Sequence, residues 1–376
     1  MAFRLVATAT AVSLCAGTAF AGGIERTNQV VGIIFQEGTY AELSFGYVDP
    51  SVSGTATAFS PTPGANSGNM VKAYSLAGAA FRMNINDQLS FGVIFDQPYG
   101  ADVSYPAGTG YFAQGSTAEL DSNALTAVLR YQFAGNYDIY GGLRYQTLSA
   151  NAFIPFVTPV PGVTPPYQVN GERDGGLGWL IGAAYEVPEI ALRVALTYNS
   201  SIEHELDTTE SSFFGLSNSV TTIETPQSVN LDFQTGIAAD TLLFAAVRWV
   251  DWSEFDISPE DYGLLTGGAS LVSYDSDTTT YVLGLGRRIN EQWSVSGRVA
   301  YEDPTGGFSS NLGPTDGQTT VALAAQYTVG QTQISGGVSY TDIGDAETTL
   351  GGSGLPASDF SGNSAWGAGI RIGYTF

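Results

Sequence analysis

Short segments in which apolar and polar residues strictly alternate constrain the fold of this chain more than any other feature. The first clear segment has an apolar residue at every second position, at Ala41, Leu43, Phe45 and Tyr47. A period of two residues is that of a β-strand with one apolar and one polar face. The chain contains about fourteen such segments, and an even number of them predicts a closed antiparallel barrel. The last segment, 366–376, ends at the C-terminus.

The connectors between these segments alternate between short and long. Residues 84–87, 187–189 and 238–240 form short connectors, whereas 151–174 and 207–227 are long. Outer-membrane barrels have short periplasmic turns and long extracellular loops, with aromatic residues at the strand ends. We therefore predict an all-β fold, a transmembrane antiparallel β-barrel of about 14 strands with that loop arrangement. The location expected for it is the bacterial outer membrane, in contact with lipid and lipopolysaccharide.

Composition separates this prediction from a soluble β-sandwich or propeller. Hydrophobic residues make up 43% of the chain and charged residues only 13%, about half of the globular average. No segment after Gly22 reaches the roughly 18 consecutive apolar residues of a membrane helix. The net charge is −23, and Lys72 is the only lysine. Because nucleic acids and anionic lipids are bound by basic surfaces, neither is an expected ligand.

The first residues have the pattern of a secretory signal peptide. Arg4 precedes an apolar run, and Ala19-Phe20-Ala21 forms a small-residue cleavage site before Gly22. The only cysteine, Cys15, lies inside residues 1–21, so no disulfide is expected afterwards. We expect a signal peptide at 1–21, a short N-terminal segment at 22–38 and a barrel at 39–376. The short segment either fills the lumen as a reduced plug or leaves it more open.

Several motifs appear in a characteristic order along the chain: 47–50 (Tyr-Val-Asp-Pro), 96–100 (Asp-Gln-Pro-Tyr-Gly), 195–200 (Ala-Leu-Thr-Tyr-Asn-Ser) and 247–255 (Val-Arg-Trp-Val-Asp-Trp-Ser-Glu-Phe). Together with the closing strand they resemble the FadL family of outer-membrane channels for long-chain fatty acids and aromatic hydrocarbons. The chain departs from that family at its amino end, because family members have a hatch of a few dozen residues with an Asn-Pro-Ala motif. A hatch-displacement mechanism therefore does not carry over.

The resemblance implies a monomeric channel for passive uptake of hydrophobic small molecules, without cofactor or enzymatic activity. C-terminal Phe376, with alternating apolar residues before it, resembles the signal that the barrel assembly machinery reads. Outer-loop residues that are too apolar for a purely solvated surface are the predicted ligand-binding residues: Phe153, Ile154, Phe156, Phe213, Phe214 and Leu216. The alternative is that these side chains pack on one another and keep the loops compact.

Alternation also places several arginines on the inward face. Arg144 and Arg298 are predicted to bind a ligand carboxylate, although such arginines also pair with lumen acids such as Asp138. In the family, a kink in the third strand opens the wall laterally. Pro98, Tyr99 and Gly100 are the predicted lateral opening, because proline removes a ladder donor and glycine tolerates a bulge. The other interpretation is that the strand simply ends there.

Two other classes of function remain as alternatives. A general diffusion porin for polar solutes needs facing rows of basic and acidic side chains, which so few cations hardly supply. An outer-membrane lipid-modifying enzyme needs a serine and a histidine as nucleophile and base. The single histidine, His204, lies between two glutamates and is expected in a solvated loop. No catalytic residue and no metal site is predicted, although Asp275-Ser276-Asp277 is a weak calcium pattern.

Overall fold

The computed structural model describes residues 24–133, 136–155, 157, 165–350 and 353–376. Within them, fourteen antiparallel strands close into a barrel, because the first strand pairs with both the second and the last. The predicted fold class is thus confirmed. The predicted signal peptide and the predicted ligand residue Phe156 lie outside the described residues.

The strand bounds follow the alternating segments of the sequence, and three strands are each divided into two pieces. The strands are β1 Tyr40–Ser51, β2 Tyr74–Asn84, β3 Leu89–Asp96 with Gly100–Ser104, β4 Thr117–Gln132, β5 Tyr137–Ile154, β6 Tyr167–Val187, β7 Leu192–Asn199 with Ile202–Ser212, β8 Gly215–Thr225 with Ser228–Ala238, β9 Thr241–Val250, β10 Thr278–Arg288, β11 Trp293–Glu302, β12 Gln318–Val329, β13 Thr332–Ile343 and β14 Asn363–Thr375.

The two faces of each strand have different environments. On β1, the outward Leu43 and Phe45 are each 54% exposed, whereas the inward Ser44 is 6% exposed. In a bilayer the outward face contacts lipid, and closure of the ring gives every strand a hydrogen-bonding neighbour on both sides. The alternation therefore separates a lipid-facing apolar surface from the interior of the barrel.

The outer loops carry the remaining secondary structure. Gly54–Ala56, Phe308–Ser309, Ala346–Thr349 and Pro356–Phe360 form a four-stranded sheet over one side of the barrel. The loop after β9 contains the helix α1 Glu260–Thr266, the 3-10 helix Trp252–Glu254 and the paired segments Asp256–Ile257 and Val272–Ser273. The other 3-10 helices are Gly32–Phe35 and Pro188–Ile190. Among the described residues, no helix is long and apolar enough to cross a membrane.

The interior of the barrel contains two separate apolar clusters. The larger cluster fills the outer half and includes Leu148, Tyr167 and Trp252. The smaller cluster lies near the periplasmic turns, where Ile34 of the N-terminal segment packs with Tyr140 of β5. The described residues that precede β1 therefore run inside the barrel, and their contacts position the candidate site described below.

Candidate functional site

Strand β3 is interrupted in the middle of the barrel wall. Its lower piece pairs with β4 up to Asp96 and Ala124, and its upper piece resumes with Gly100 opposite Asp121. Residues 97–99 of β3 therefore face only residues 122–123 of β4, which is a β-bulge with one extra residue. Pro98 has no backbone N–H, so it cannot contribute a donor to the ladder at this point.

The bulge also separates β3 from its other neighbour. The backbone pairing of β2 with β3 ends at Ala79 opposite Phe95, although β2 itself continues upward to Tyr74 along β1. Above that pair, the Ala77 N–H donates to the Gln97 side-chain Oε1 at 3.0 Å instead of to a backbone carbonyl. The wall consequently has a break between the upper part of β2 and residues 97–100, which we call the wall break.

The N-terminal segment lies against the inner side of the wall break. The Arg26 N–H donates to the Pro98 carbonyl at 2.7 Å, and the Gly100 N–H donates to the Ile24 carbonyl at 2.9 Å. One antiparallel bridge between Glu25 and Tyr99 results. The bulged residues thus pair with the N-terminal segment in place of β2, and this pairing satisfies backbone groups that the wall leaves open.

An apolar cavity of about 50 Å³ lies in the outer half, directly above this bridge. Ile24 of the N-terminal segment and Ala101 of β3 both line it. Among the described residues that line it, Glu119 is the only one with a formal charge, and its exposed side chain belongs to the outward face of β4. The lining also includes strand residues Leu120, Ala152, Val169, Leu206 and Ile223 and loop residues Ile257, Leu271, Tyr274 and Leu312.

The roof of the cavity is held by a buried carboxylate. Glu210, which is fully buried, accepts hydrogen bonds from the N–H groups of Asp261 and Tyr262 at the start of α1. The Tyr167 hydroxyl donates to the same carboxylate at 2.7 Å. A carboxylate at a helix start is stabilised by the free N–H groups and by the helix dipole. Glu210 therefore fixes the loop after β9 on the extracellular parts of β6 and β7.

Burial also changes the acidity of the tyrosines in the outer loops. Desolvation raises the pKa of Tyr111 to about 12 and raises the pKa of Tyr262 above its usual value. The pKa of Tyr274, which lines the cavity, is raised for the same reason. These hydroxyls remain neutral at physiological pH, so they add no negative charge to the apolar half of the interior.

A polar layer lies directly below the cavity. The Arg248 guanidinium pairs with Glu25 and donates to Asn230 Oδ1 at 2.6 Å. Thr27 donates to Asp96 Oδ2 at 2.8 Å in the same layer. Buried charges are stable only when they are paired and hydrogen-bonded. The Arg248–Glu25 pair meets that condition, whereas Asp96 Oδ1 has no hydrogen-bond partner among the described residues. The N-terminal segment supplies Glu25 and Thr27 to these contacts, so it is held to β9 and β3 at this height.

Further ion pairs continue toward the periplasmic turns. Arg130 Nη2 lies 3.0 Å from Asp138 Oδ2 and 3.2 Å from Glu186 Oε1. The Phe35 ring lies between Arg130 and Arg193, at 4.8 Å and 4.5 Å from their guanidinium carbons. The sequence-based alternative, in which lumen arginines pair with acids such as Asp138, therefore describes Arg130 correctly.

The predicted ligand residues of the loops lie in two different environments. Ile154 is 2% exposed and belongs to the outer apolar cluster, and Phe153 is half-buried at the end of β5. Phe213, Phe214 and Leu216 stand at the tip of the β7–β8 hairpin with exposures of 60%, 57% and 76%. None of the predicted ligand residues that the structure describes lines the cavity.

The two predicted lumen arginines face inward, but neither lines the cavity. Arg144 is 4% exposed, and its Nε donates to Thr126 Oγ1 at 2.9 Å. Arg298 is half-buried on the inward face of β11. The apolar loop residues did not reveal the cavity lining, which comes largely from inward strand positions. Their signal is a change from polar to apolar residues on the inward face near the extracellular ends of β4, β5 and β6.

The expectation for His204 was wrong. The side chain is fully buried, because His204 lies on the inward face of the extracellular piece of β7, which pairs with β6 and β8 in the barrel wall instead of forming a solvated loop. Its Nε2 lies 3.2 Å from Gln146 Nε2, and its Nδ1 lies 3.8 Å from Asp174 Oδ2. The two ring nitrogens thus face an amide and a carboxylate, which is not the serine and histidine arrangement of a hydrolase.

Comparisons with known proteins agree with this architecture. Solved structures with similar folds are a FadL homologue of Pseudomonas aeruginosa (TM-score 0.74, 16% identity), the toluene transporter TbuX of Ralstonia pickettii (0.63, 15%) and the toluene transporter TodX of Pseudomonas putida (0.66, 13%). Each match covers 96% of this chain and 96% or 97% of the other. No curated protein sequence is significantly similar. The profile of the family "Outer membrane protein transport protein (OMPP1/FadL/TodX)" matches residues 15–376, and the chain therefore belongs to this family of outer-membrane transport proteins.

Proposed function

We propose that the protein is a passive channel that takes small hydrophobic molecules through the bacterial outer membrane. The observation that carries this proposal is the position of the apolar cavity. It lies above a polar layer and beside a break in the barrel wall, and Ile24 and Ala101 belong to both its lining and the segments at that break.

Capture begins at the exposed hairpin tip. Phe213 and Phe214 lie with their ring centroids 5.8 Å apart in an edge-on arrangement, and Leu216 is the most exposed of the three. Exposed apolar groups of this kind mark interaction sites for apolar partners. We assign them the first contact with the substrate, followed by transfer into the cavity under α1.

The cavity holds the substrate only after a local rearrangement. Its volume of about 50 Å³ is smaller than the roughly 150 Å³ of an engineered apolar cavity that binds benzene. An entering molecule therefore displaces side chains of the loop after β9, which contributes Ile257, Leu271 and Tyr274 to the lining.

Exit through the wall break is easier for an apolar molecule than passage down the lumen. Passage down the lumen would separate the Glu25–Arg248 pair and lower pairs such as Arg130–Asp138. Each buried polar group left unpaired costs about 1–3 kcal/mol, and a charge costs more. Beyond the wall break lies the bilayer, in which an apolar molecule is favoured by about 25 cal/mol for each Å² removed from water. We propose that Pro98, Tyr99 and Gly100 form the lateral opening at this break, where the pairing of β3 is interrupted.

Uptake and conductance measured together test the proposal. We expect cells that express the protein to accumulate a labelled fatty acid or hydrocarbon faster than cells without it. We propose that the polar layer closes the lumen, so the purified protein in a planar bilayer should be nearly silent. Large, steady ion currents without hydrophobic uptake would instead support the general diffusion porin.

Deletion of Pro98 tests the exit route. Without it, residues 97–99 lose the extra residue opposite 122–123, so the wall can pair continuously, and we expect uptake to fall about tenfold. The matched control is Pro98→Ala, which keeps the residue count and therefore the bulge. Equal uptake by the deletion variant and the control would contradict exit at this point.

The outer-membrane barrel fold also suggests how the protein is processed and assembled. We propose that residues 1–21 are removed as a signal peptide and that the barrel is monomeric and contacts lipopolysaccharide.

The C-terminal Phe376, whose ring lies 4.9 Å from that of Tyr374 on the outward side of β14, would be recognised by the barrel assembly machinery. Truncation of Phe376 should reduce the amount of folded barrel in the outer membrane without changing uptake per folded molecule.

A further inference from the structure

Arg26 occupies the wall break with its side chain. Its guanidinium lies over the Tyr74 ring of β2, with the Cζ atom 4.3 Å from the ring centroid. On the other side it packs against Gly100 of β3, where a Cβ atom would lie only 2.4 Å from Cζ. The side chain therefore bridges the two strands that do not pair at this height, and glycine at position 100 makes room for it.

The guanidinium is buried without a full set of acceptors. Arg26 is 6% exposed, and in the part of the chain that the structure describes its Nε and Nη2 have no hydrogen-bond partner. Arg248 in the polar layer differs, because it donates to Glu25, Ser228 and Asn230. Buried donors without acceptors are unfavourable. A carboxylate is the group that best supplies acceptors to a guanidinium, because its two oxygens accept two parallel N–H groups.

The unpartnered donors adjoin the apolar cavity. Ile24, two residues before Arg26, lines the cavity, and so does Ala101, which follows Gly100. A molecule whose apolar part lies against Ile24 and Ala101 thus has its other end beside the guanidinium. A molecule with an apolar tail and a terminal carboxylate fits this arrangement, with the tail in the cavity and the carboxylate at the guanidinium.

We propose that Arg26 is the specificity-determining residue for amphiphilic carboxylic acids and receives the substrate carboxylate in the wall break. This inference rests on the proposed function and adds the class of substrate to it. A neutral hydrocarbon uses the same cavity but makes no ion pair with Arg26. Substitution of this one arginine therefore separates the two classes of substrate.

The test compares labelled dodecanoate with labelled dodecane in cells that express equal amounts of folded barrel. We expect Arg26→Met to reduce dodecanoate uptake at least about tenfold, because the charge-assisted pair is lost, and to leave dodecane uptake unchanged. Arg26→Lys keeps the charge but not the planar fork of donors, so its dodecanoate uptake should lie between that of Arg26→Met and that of the unmodified protein. The matched control is Arg371→Met, which removes an arginine paired with Glu42 elsewhere in the lumen.

Three results would overturn the inference. Equal losses of dodecanoate and dodecane uptake in Arg26→Met would show a purely structural role, and unchanged uptake of both would show that the residue is not used. Uptake of dodecane but not dodecanoate by the unmodified protein would exclude acids as substrates and leave the proposed function intact. Uptake of neither molecule would contradict the proposed function itself. If Arg26→Met does not fold, the Arg26→Lys and Arg26→Gln variants supply the same comparison.

Discussion

The outer and periplasmic halves of the barrel interior differ in the way they are filled. In the outer half, aromatic and aliphatic side chains from strands and loops form one large cluster around a cavity. In the periplasmic half, arginines pair with acids, as Arg130 does with Asp138 and Arg371 with Glu42. The strands contribute inward positions to both halves, and the loop after β9 adds Ile257, Leu271 and Tyr274 to the outer half, so the difference depends on residue type and on the outer loops.

This difference has a consequence for transport. An apolar molecule gains contacts in the outer half but would have to separate paired charges in the other half. The N-terminal segment lies at the boundary, with Ile24 in the cavity lining and Glu25 bound to Arg248. Glu25 thus ties the N-terminal segment to β9 at this boundary.

The largest expected effect follows removal of one charge from the periplasmic half. Arg130→Met leaves Asp138, which is 1% exposed, without its partner, and a broken buried pair typically costs about 3–5 kcal/mol. We expect that loss in the free energy of unfolding, measured by urea denaturation of the barrel in liposomes. The double variant Arg130→Met with Asp138→Asn should recover most of it. A loss below about 1 kcal/mol would mean that the pair is effectively hydrated.

The next effect follows addition of a charge to the outer half. Ile223 is 1% exposed and lines the cavity, and the described residues of the lining include no cation. A carboxylate in an apolar site costs several kcal/mol, so Ile223→Asp should reduce dodecane uptake at least about thirtyfold. The matched control is Ser296→Asp, at a half-buried inward position of β11, for which uptake should stay near the original value. Similar losses in both variants would remove the distinction between the two halves.

The sequence predicted the fold because alternation reports directly on the two faces of a strand. Pro98 and Gly100, which a continuous strand disfavours, coincide with the interruption of β3, and a lateral opening at these residues stays a prediction. The cavity was harder to predict from the sequence, because its walls combine residues such as Leu120 and Leu312 that are far apart in the chain. Burial of His204 was missed for a similar reason. Its partners Gln146 and Asp174 lie on other strands, and their proximity depends on how the barrel aligns those strands with the inward face of β7.

The smallest expected effect concerns the hydrogen bonds that hold the outer half together. The Tyr111 hydroxyl lies 2.6 Å from Ser358 Oγ, and this contact joins the loop after β3 to the four-stranded loop sheet. Tyr111→Phe removes the contact without changing the shape of the ring, so we expect a local loss of about 1 kcal/mol. Faster amide hydrogen exchange in residues 105–116, relative to the β-strands, measures this loss.

The control for this prediction is Tyr281→Phe, at an outward position of β10 that is 46% exposed, where exchange in residues 105–116 should not change. Uptake should also stay within about twofold in Tyr111→Phe, because 1.4 kcal/mol is needed for a tenfold change even when it acts fully on transport. A large increase in uptake would mean that this side of the outer half, and not the loop after β9, moves when substrate enters. The periplasmic half would then be the only rigid part of the interior, and the comparison between the two halves would become one of mobility as well as polarity.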